Sequence, residues 1–453
     1  MAKNNMEKRI HFIGVGGVSM SALATESLTH GIVSGSDIHY NPLMDKLRRK
    51  GAFVYEGSDA AAVIAADLVV YNSAIKDDDA ELMSAISHNV PLMTRSEYLG
   101  RVAKTCKACI AVGGIHGKST TTALIASALK EAECKFTAHI GAEAVDLDGN
   151  YYSDGRDFFV TEACEYKGNF LSLSPDIEII LNVEMDHPDY YENEERVYAA
   201  FSQFAKKIKK GGVLIINADE KYSGLYKDLK DISVVTFGIG KGIYSAHNIR
   251  QAEGKYIFDL HIGGAFSREV KSNLYGKHNI YNILACIAAS DCSGAGIDAA
   301  CRAAQSFGGV KRRLELIGNI GACSVISDYA HHPSEIRAAI ASARGIFKGK
   351  IMACFQPHTY SRTAKLFDDF RQCFGGADFA VIVKEYPARE APCMGKNAYE
   401  LFAAVERPES DYAESLDVLN GIIKNKAPQY GCILLLGAGD IGLFKDIVDA
   451  PSF

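Results

Sequence analysis

The feature that most constrains this chain is a short apolar strand that runs into a glycine turn and out into a helix. The strand covers 108–112, the turn is Gly113-Gly114-Ile115-His116-Gly117-Lys118-Ser119-Thr120, and the helix follows over 120–132. Small residues let backbone N–H groups approach an anion, and the start of a helix adds its dipole to the attraction. The pattern is that of a phosphate loop: Lys118 would reach the outer phosphates of a nucleoside triphosphate, and the Ser119 hydroxyl a Mg2+ ion. Val112 stands where the strict pattern has its first glycine. A glycine turn with a solvated lysine is the bland alternative, but the flanking strand and helix favour the nucleotide.

Such a loop needs a parallel sheet around it, and strand–helix alternation supplies one three times over. The first hundred residues give a strand over 9–15, a helix over 19–30, a second strand ending at Ser36-Asp37 and another over 67–71. The middle of the chain adds strands over 157–161, 177–182 and 212–217 and a helix over 279–289. A third series has strands over 323–327, 351–355, 379–383 and 432–436. Alternation of this kind predicts βαβ units. At roughly 150 residues a domain, 453 residues make three α/β domains, expected at 1–106, 107–313 and 314–453.

A triphosphate site requires carboxylates at the ends of neighbouring strands, where they can hold metal beside the phosphates. Two acidic turns stand there, Glu162-Ala163-Cys164-Glu165 and Glu184-Met185-Asp186-His187. Either alone reads as a solvated loop; both, after the phosphate loop, read as a site for Mg2+ or Mn2+. In the third series Asp328-Tyr329-Ala330-His331-His332-Pro333 and Gln356-Pro357-His358-Thr359-Tyr360-Ser361-Arg362 follow two strand ends and precede helices. A histidine pair before proline could simply cap a helix, whereas two such clusters on one sheet edge suit a ligand cleft.

Gly14-Val15-Gly16-Gly17 also joins a strand to a helix, and Asp37 closes the second strand where a ribose partner would lie. Ser19 replaces the third glycine of the dinucleotide fingerprint. The turn therefore suits a diphosphate, of which NAD(P) is one form, and an oxidoreductase is the reading from another class. The net charge of −6 gives no reason to expect nucleic acid or an anionic membrane as partner. No secretory leader and no apolar run of about 18 residues is present, so a cytoplasmic location is expected. Twelve scattered cysteines do not make a disulfide framework. The pair Cys106 and Cys109 has no second pair or His partner at zinc-finger spacing.

Taken together, the segments HFIGVGGVSM, GGIHGKSTTT, NVEMDHPDYY, GKHNIYN, KRRLELIG, SDYAHHPSE, FQPHTYSRT, EYPARE and LLLGAGDIG resemble the Mur ligases in order and over nearly the whole chain. The resemblance implies a UDP-binding Rossmann-like N-terminal domain, a central P-loop ATPase with a mostly parallel sheet, and a Rossmann-like C-terminal domain that closes over the site. It implies an ATP-dependent amide ligase of peptidoglycan synthesis that joins L-alanine to the lactyl carboxylate of UDP-N-acetylmuramate through an acyl phosphate. The rival within the family attaches a preformed tripeptide to the same nucleotide sugar. The expected partners are these small molecules, and the expected assembly is a monomer or homodimer.

Carried over by position, Gly14, Gly16, Gly17, Val18, Ser19 and Met20, with Asp37 and Ser73, would hold the nucleotide sugar. Gly114, His116, Gly117, Lys118, Ser119 and Thr120 would hold ATP phosphates; His278, Asn279, Asn282, Arg313 and Asp328 would complete the nucleotide site. Ser119, Glu165 and His187 would hold metal. Tyr329, His331, His358 and Arg362 would form the alanine side. Lys118, Glu165, His187, His331, His358 and Arg362 are the expected catalytic set. Four departures stand out: Ile115 and Ser119 replace threonines, the acidic run becomes Glu162 to Lys167, Thr359 replaces an arginine, and Val18-Ser19 replaces an Ala-Gly pair. The stretch 197–205 holds no lysine of the kind some relatives carbamoylate.

Overall fold

The computed structural model describes residues 8–187, 190–221, 229–252, 254–388, 390 and 395–443. Pro188 and Asp189 of NVEMDHPDYY and Arg389 of EYPARE lie outside the described residues.

Three sheets carry the chain. The first is parallel throughout, with β1 (Lys8–Ile13), β2 (Gly31–Asp37), β3 (Phe53–Glu56), β4 (Leu68–Tyr71) and β5 (Leu92–Thr94) in the order β3-β2-β1-β4-β5. The second contains β6 (Ala108–Gly113), β7 (Phe136–Ala144), β8 (Gly149–Ser153), β9 (Phe158–Glu162), β10 (Ile177–Ile180), β11 (Val213–Asn217) and β12 (Ser233–Ile239). It continues through β13 (Tyr244–Ala252), β14 (Lys255–Ile262) and β15 (Ala265–Tyr275). Its order is β15-β14-β13-β12-β11-β10-β6-β9-β7-β8, parallel from β7 through β13 and antiparallel at both ends. The third has β16 (Glu315–Ile320), β17 (Cys323–Asp328), β18 (Ile351–Phe355), β19 (Phe379–Val383), β20 (Ser410–Ala413) and β21 (Cys432–Leu436) in the order β16-β17-β21-β18-β19-β20. Only β16 is antiparallel there.

The central strands IMACF, FAVIV and CILLL are buried at every position. Parallel strands covered by helices on both faces have no solvent side, so their sequences lose alternation and become continuous apolar runs. One apolar core runs without a break from Phe12 and Tyr98 of the first unit to Phe170, Phe201 and Phe204 of the second. The third sheet has its own clusters, around Phe355 and Phe370 on one face and Val381 and Leu435 on the other.

Several expected boundaries move, each for a local reason. β1 stops at Ile13, not at 15, because Gly14 turns at φ +80° and the N–H groups of Gly14 and Val15 both donate to Ser36 O. The helix after the phosphate loop begins at Lys118, since Gly117 already takes the left-handed conformation at its N-cap. β10 ends at Ile180 because Asn182 turns to pair with His116, accepting from its N–H at 2.8 Å and donating to its carbonyl at 3.0 Å. The stretch from Ser233 to Tyr275 forms four strands that the helix–strand alternation did not indicate. Among the described residues no helix is long and apolar enough to cross a membrane.

Candidate active site

The loops that follow β6, β9 and β10 leave the same edge of the central sheet, because these three strands are parallel neighbours. That register gathers the phosphate loop and both acidic turns. Lys118 Nζ lies 2.9 Å from Glu165 Oε2 and also donates to the carbonyls of Gly114 and Ile115. Glu165 Oε1 lies 3.1 Å from His187 Nε2, and the Tyr166 ring packs on the His187 imidazole with centroids 4.7 Å apart. His187 sits at φ +50°, a conformation that non-glycine residues adopt at a cost and that concentrates at functional sites. Burial works to raise the Glu165 carboxyl, but Lys118 and His187 outweigh it and hold it below the ordinary range. The Lys118 amine is raised in turn, because Glu165 overcomes the penalty of burial.

These residues fit a triphosphate and its metal. The helix Lys118–Glu131 has no side-chain cap and no acid in its first turn, so its leading N–H groups face an anion unopposed. A Cβ on Gly117 would come 2.5 Å from Asn282 Oδ1, so the loop can close on a ligand only as glycine. Glu165 is buried, and Lys118 is the partner of its Oε2 at 2.9 Å. Hydroxyl, carboxylate and imidazole from Ser119, Glu165 and His187 are an acceptable donor set for Mg2+ or Mn2+.

Beside the loop a cleft of about 560 Å³ is lined by His116, Gly117, Thr120, His278, Asn279, Asn282, Arg313 and Asp328 together with apolar residues such as Leu274 and Ile326. That volume suits a small-molecule ligand. Every residue expected to complete the nucleotide site from the helix Asn279–Cys292 and from the third sheet therefore meets in one place. Burial, reinforced by Arg313, holds His278 neutral by lowering it to about 4. Burial lifts Asp328 to about 6 despite Arg313, while its oxygens accept from the N–H groups of Leu314 and Ala330, each at 2.8 Å.

The third sheet presents its clusters to the same edge. Asp186 accepts from Arg362 Nε and Nη2 at 3.3 and 3.1 Å, a pair buried between the central and third sheets. Burial would raise the Asp186 carboxyl, but the Arg362 charge drives it far below the ordinary range. Arg362 Nη1 lies 3.4 Å from His358 Nδ1, and His358 stacks on Tyr386 and stands edge-on to His331. Thr359, at φ +69°, is a strained β-branched residue that sets His358 on one side of the bend and Arg362 in the helix after it. His331 is half-buried and desolvation lowers it to about 4, and its Nδ1 lies 2.9 Å from Tyr329 O. The Arg312 and Arg313 guanidinium groups both stack over the Tyr329 ring.

The N-terminal turn forms a second centre. Gly16 N–H donates to Asp37 Oδ2 at 2.9 Å, so Asp37 shapes the turn, and Asn41 donates to Gly16 O. Gly17 caps the helix Val18–Ser27 with no side-chain bond; Met20 points into the core. Ser73 is exposed after β4, next to the Asn72 side chain that lies against Gly14. Ser19 Oγ meets His139 Nε2 at 2.9 Å and accepts from Arg95 at 3.1 Å. Asn150 donates to Val18 O and Ser21 Oγ from β8, so the turn faces the central sheet.

Some participants are absent from the residues singled out in sequence. Glu335 binds His116 Nδ1 at 2.8 Å and accepts from the N–H groups of His331 and His332. Its signal was the spacing His332-Pro333-Ser334-Glu335, a capping box at the start of Pro333–Ile346. Arg95 and His139 carry no motif, and only the packing of the first two units brings them together.

Family models match consecutive parts of the chain: a Mur ligase family catalytic domain over residues 9–106, a Mur ligase middle domain over 112–290, and a Mur ligase glutamate ligase domain over 312–439. UDP-N-acetylmuramate–L-alanine ligase of Clostridium acetobutylicum is 39% identical over 443 residues, covering 97% of each chain. The protein of that name from Clostridium botulinum strain Loch Maree is 40% identical over 96% of each chain. Among solved structures, UDP-N-acetylmuramate–alanine ligase from Thermotoga maritima superposes with a TM-score of 0.81 at 29% identity, covering 96% of both chains. The likeness thus extends through all three sheets, and the chain belongs to the Mur ligase family.

Proposed function

We propose that the pocket formed by Lys118, Glu165 and His187, facing His331, His358 and Arg362 across the cleft, is where this chain makes an amide bond through an acyl phosphate. The overall reaction is ATP-dependent joining of L-alanine to UDP-N-acetylmuramate in peptidoglycan synthesis, the activity named for relatives 39% identical over 97% of the chain. The observation that carries the site assignment is the contact chain Lys118–Glu165–His187 at 2.9 and 3.1 Å.

In this reading residues 1–106 bind the nucleotide sugar through Gly14, Gly16, Gly17, Val18, Ser19, Asp37 and Ser73, with Met20, whose side chain is in the core, taking part only through its backbone. Residues 107–313 bind ATP, and 314–453 close over it. The sugar's lactyl carboxylate attacks the γ-phosphorus, and ADP leaves. Ser119, Glu165 and His187 would hold Mg2+, which when bound neutralises clustered phosphate charge. Lys118 and the uncapped helix start stabilise the charge that builds on the transferred group. The amine of L-alanine then attacks the acyl carbonyl, and inorganic phosphate departs. His331, kept neutral by desolvation, puts no positive charge beside that amine and can accept its hydrogen bond. Arg362, fixed by Asp186, offers its remaining edge to the alanine carboxylate. The enzyme meets its substrates in the cytoplasm as a monomer or homodimer. Phosphate release measured with the nucleotide sugar and a panel of single amino acids and peptides tests the assignment: L-alanine should support turnover. Silence with L-alanine and activity with a tripeptide would transfer it to the tripeptide-adding reaction.

A further inference from the structure

A second group of metal-ligating side chains lies apart from the Glu165–His187 pair. His116, Glu184 and His332 each bring one donor atom to a common point, all within 4.8 Å of one another. His116 Nε2 lies 2.5 Å from Glu184 Oε1, the Ser334 hydroxyl lies 3.1 Å from the same nitrogen, and the His116 and His332 rings are 5.4 Å apart. We propose that His116, Glu184 and His332 form a binding site for a borderline divalent cation, Zn2+ in the first instance, that bridges the phosphate loop and the third sheet.

Three features of the cluster support a metal there over a plain ion pair. First, the ligand set is two imidazoles and a carboxylate, which favours Zn2+, Co2+ or Ni2+ over the oxygen-seeking Mg2+. Second, the far nitrogen of His116 already faces a carboxylate, Glu335 Oε1 at 2.8 Å. That is the carboxylate–histidine arrangement that orients a metal-bound imidazole and raises its basicity. The Ser334 hydroxyl joins the three donors, 2.7 Å from His332 Nδ1, 3.1 Å from His116 Nε2 and 3.3 Å from Glu184 Oε1, so they converge on one point. Third, Glu184 and Glu335 flank His116 with two negative charges, which draw either a proton or a divalent cation to that position. Donors on one tetrahedral zinc ion lie about 3.4 Å apart. Small side-chain rotations therefore suffice, and the Glu184 side chain, 38% exposed, is free to make one.

The site differs from the reaction metal in where it sits. His116 and Glu184 belong to the central unit, and His332 caps the helix Pro333–Ile346 of the third. An ion there would tie the phosphate loop to the third sheet and slow any opening between them. Inhibition of turnover by micromolar Zn2+ at saturating Mg2+ is the consequence, and it alone rests on the ligase reading.

The test uses the full chain, stripped with a chelator, and two probes. Co2+ titration is followed in the visible, and Zn2+ affinity by competition with a chromophoric chelator. His332→Asn keeps a side-chain acceptor at the helix N-cap, and Glu184→Gln keeps the size; circular dichroism checks that both fold. Each should weaken Zn2+ binding by more than about 100-fold, since even groups behind a ligand are worth about 10–100-fold. Glu165→Gln should leave this binding in place. Zn2+ binding unchanged in both His332→Asn and Glu184→Gln, or abolished by Glu165→Gln alone, would overturn the proposal. Neither result depends on whether the chain ligates L-alanine, so failure of the metal site and failure of the ligase reading are read separately.

Discussion

Lys118 and Glu165 hold each other in opposite charge states inside a buried pocket. Removing one leaves the other uncompensated as well as deleting a contact to phosphate or metal. Lys118→Ala and Glu165→Gln should each cut phosphate release by about 100-fold or more. Binding of the nucleotide sugar, followed by calorimetry, should be unaffected, because the glycine turn at Gly14 belongs to a different sheet; a joint loss of both would count against the division of labour. His331 supplies a pH test. Its folded value of about 4 lies below its usual 6.5, so the folded form binds fewer protons than the unfolded one. Stability should therefore fall as pH drops from about 6.5 toward 4 and level off below. His331→Gln should flatten part of that decline in melting temperature, and an unchanged slope would show that the imidazole titrates normally. At this scale the sequence was most legible where chemistry is local. Lys118, Glu165 and His187 each stand just past a strand end, inside a recognisable turn. The Arg362–Asp186 and His116–Glu335 contacts span 176 and 219 residues, and no spacing rule foresees pairs that exist only when two sheets dock.

At the scale of elements, the loop from Gly114 to Gly117 sets how closely a phosphate can approach the helix Lys118–Glu131. Gly117 sits at φ +85° with Asn282 Oδ1 2.5 Å from where a Cβ would be. Gly117→Ala should cost about 1–2 kcal/mol in backbone strain alone. It should weaken nucleotide binding by about tenfold or more, measured by titration with ADP, and an affinity within twofold of the parent would refute the tight-cradle account. Whereas β3, β5, β7 and β20 were not read, the apolar central strands, such as β6, β10, β18, β19 and β21, were readable because burial on both faces makes them short continuous runs. Their ends were not, since Gly14, Gly117 and Asn182 stop or redirect the chain by hydrogen bonds to partners far away in sequence. The antiparallel edge β13–β15 escaped notice because its exposed, mixed residues carry little periodicity. One local clue existed, Gly263-Gly264 at φ +58° and +87° between β14 and β15, a pair suited to a tight hairpin turn.

For the molecule as a whole, the first two units share a core while the third is held to the central sheet chiefly by polar contacts. Lys46 and Lys311 converge on Glu143, and Glu26 receives Tyr151 and Arg156, so the first unit is bound to the second by charge as well as by apolar packing. Across the other boundary stand Asp186–Arg362 and the His116–Glu335 cluster. Asp186→Asn leaves the Arg362 charge buried without its counterion, which costs about 3 kcal/mol or more in the docked arrangement. The variant should show a raised KM for L-alanine with nucleotide-sugar binding intact, and an unchanged KM would remove Arg362 from the alanine side. The three-part α/β architecture followed from strand–helix alternation; how the parts face one another did not, because docking is decided by these few cross-sheet contacts.

In the proposed reaction one pocket activates the lactyl carboxylate as an acyl phosphate before the amine arrives. UDP-N-acetylmuramate labelled with oxygen-18 in that carboxylate, turned over with ATP and L-alanine, tests it directly by mass spectrometry of the released phosphate. An acyl phosphate made at Lys118, Glu165 and His187 requires that a labelled oxygen leave on inorganic phosphate. Unlabelled phosphate accompanying amide formation would contradict it.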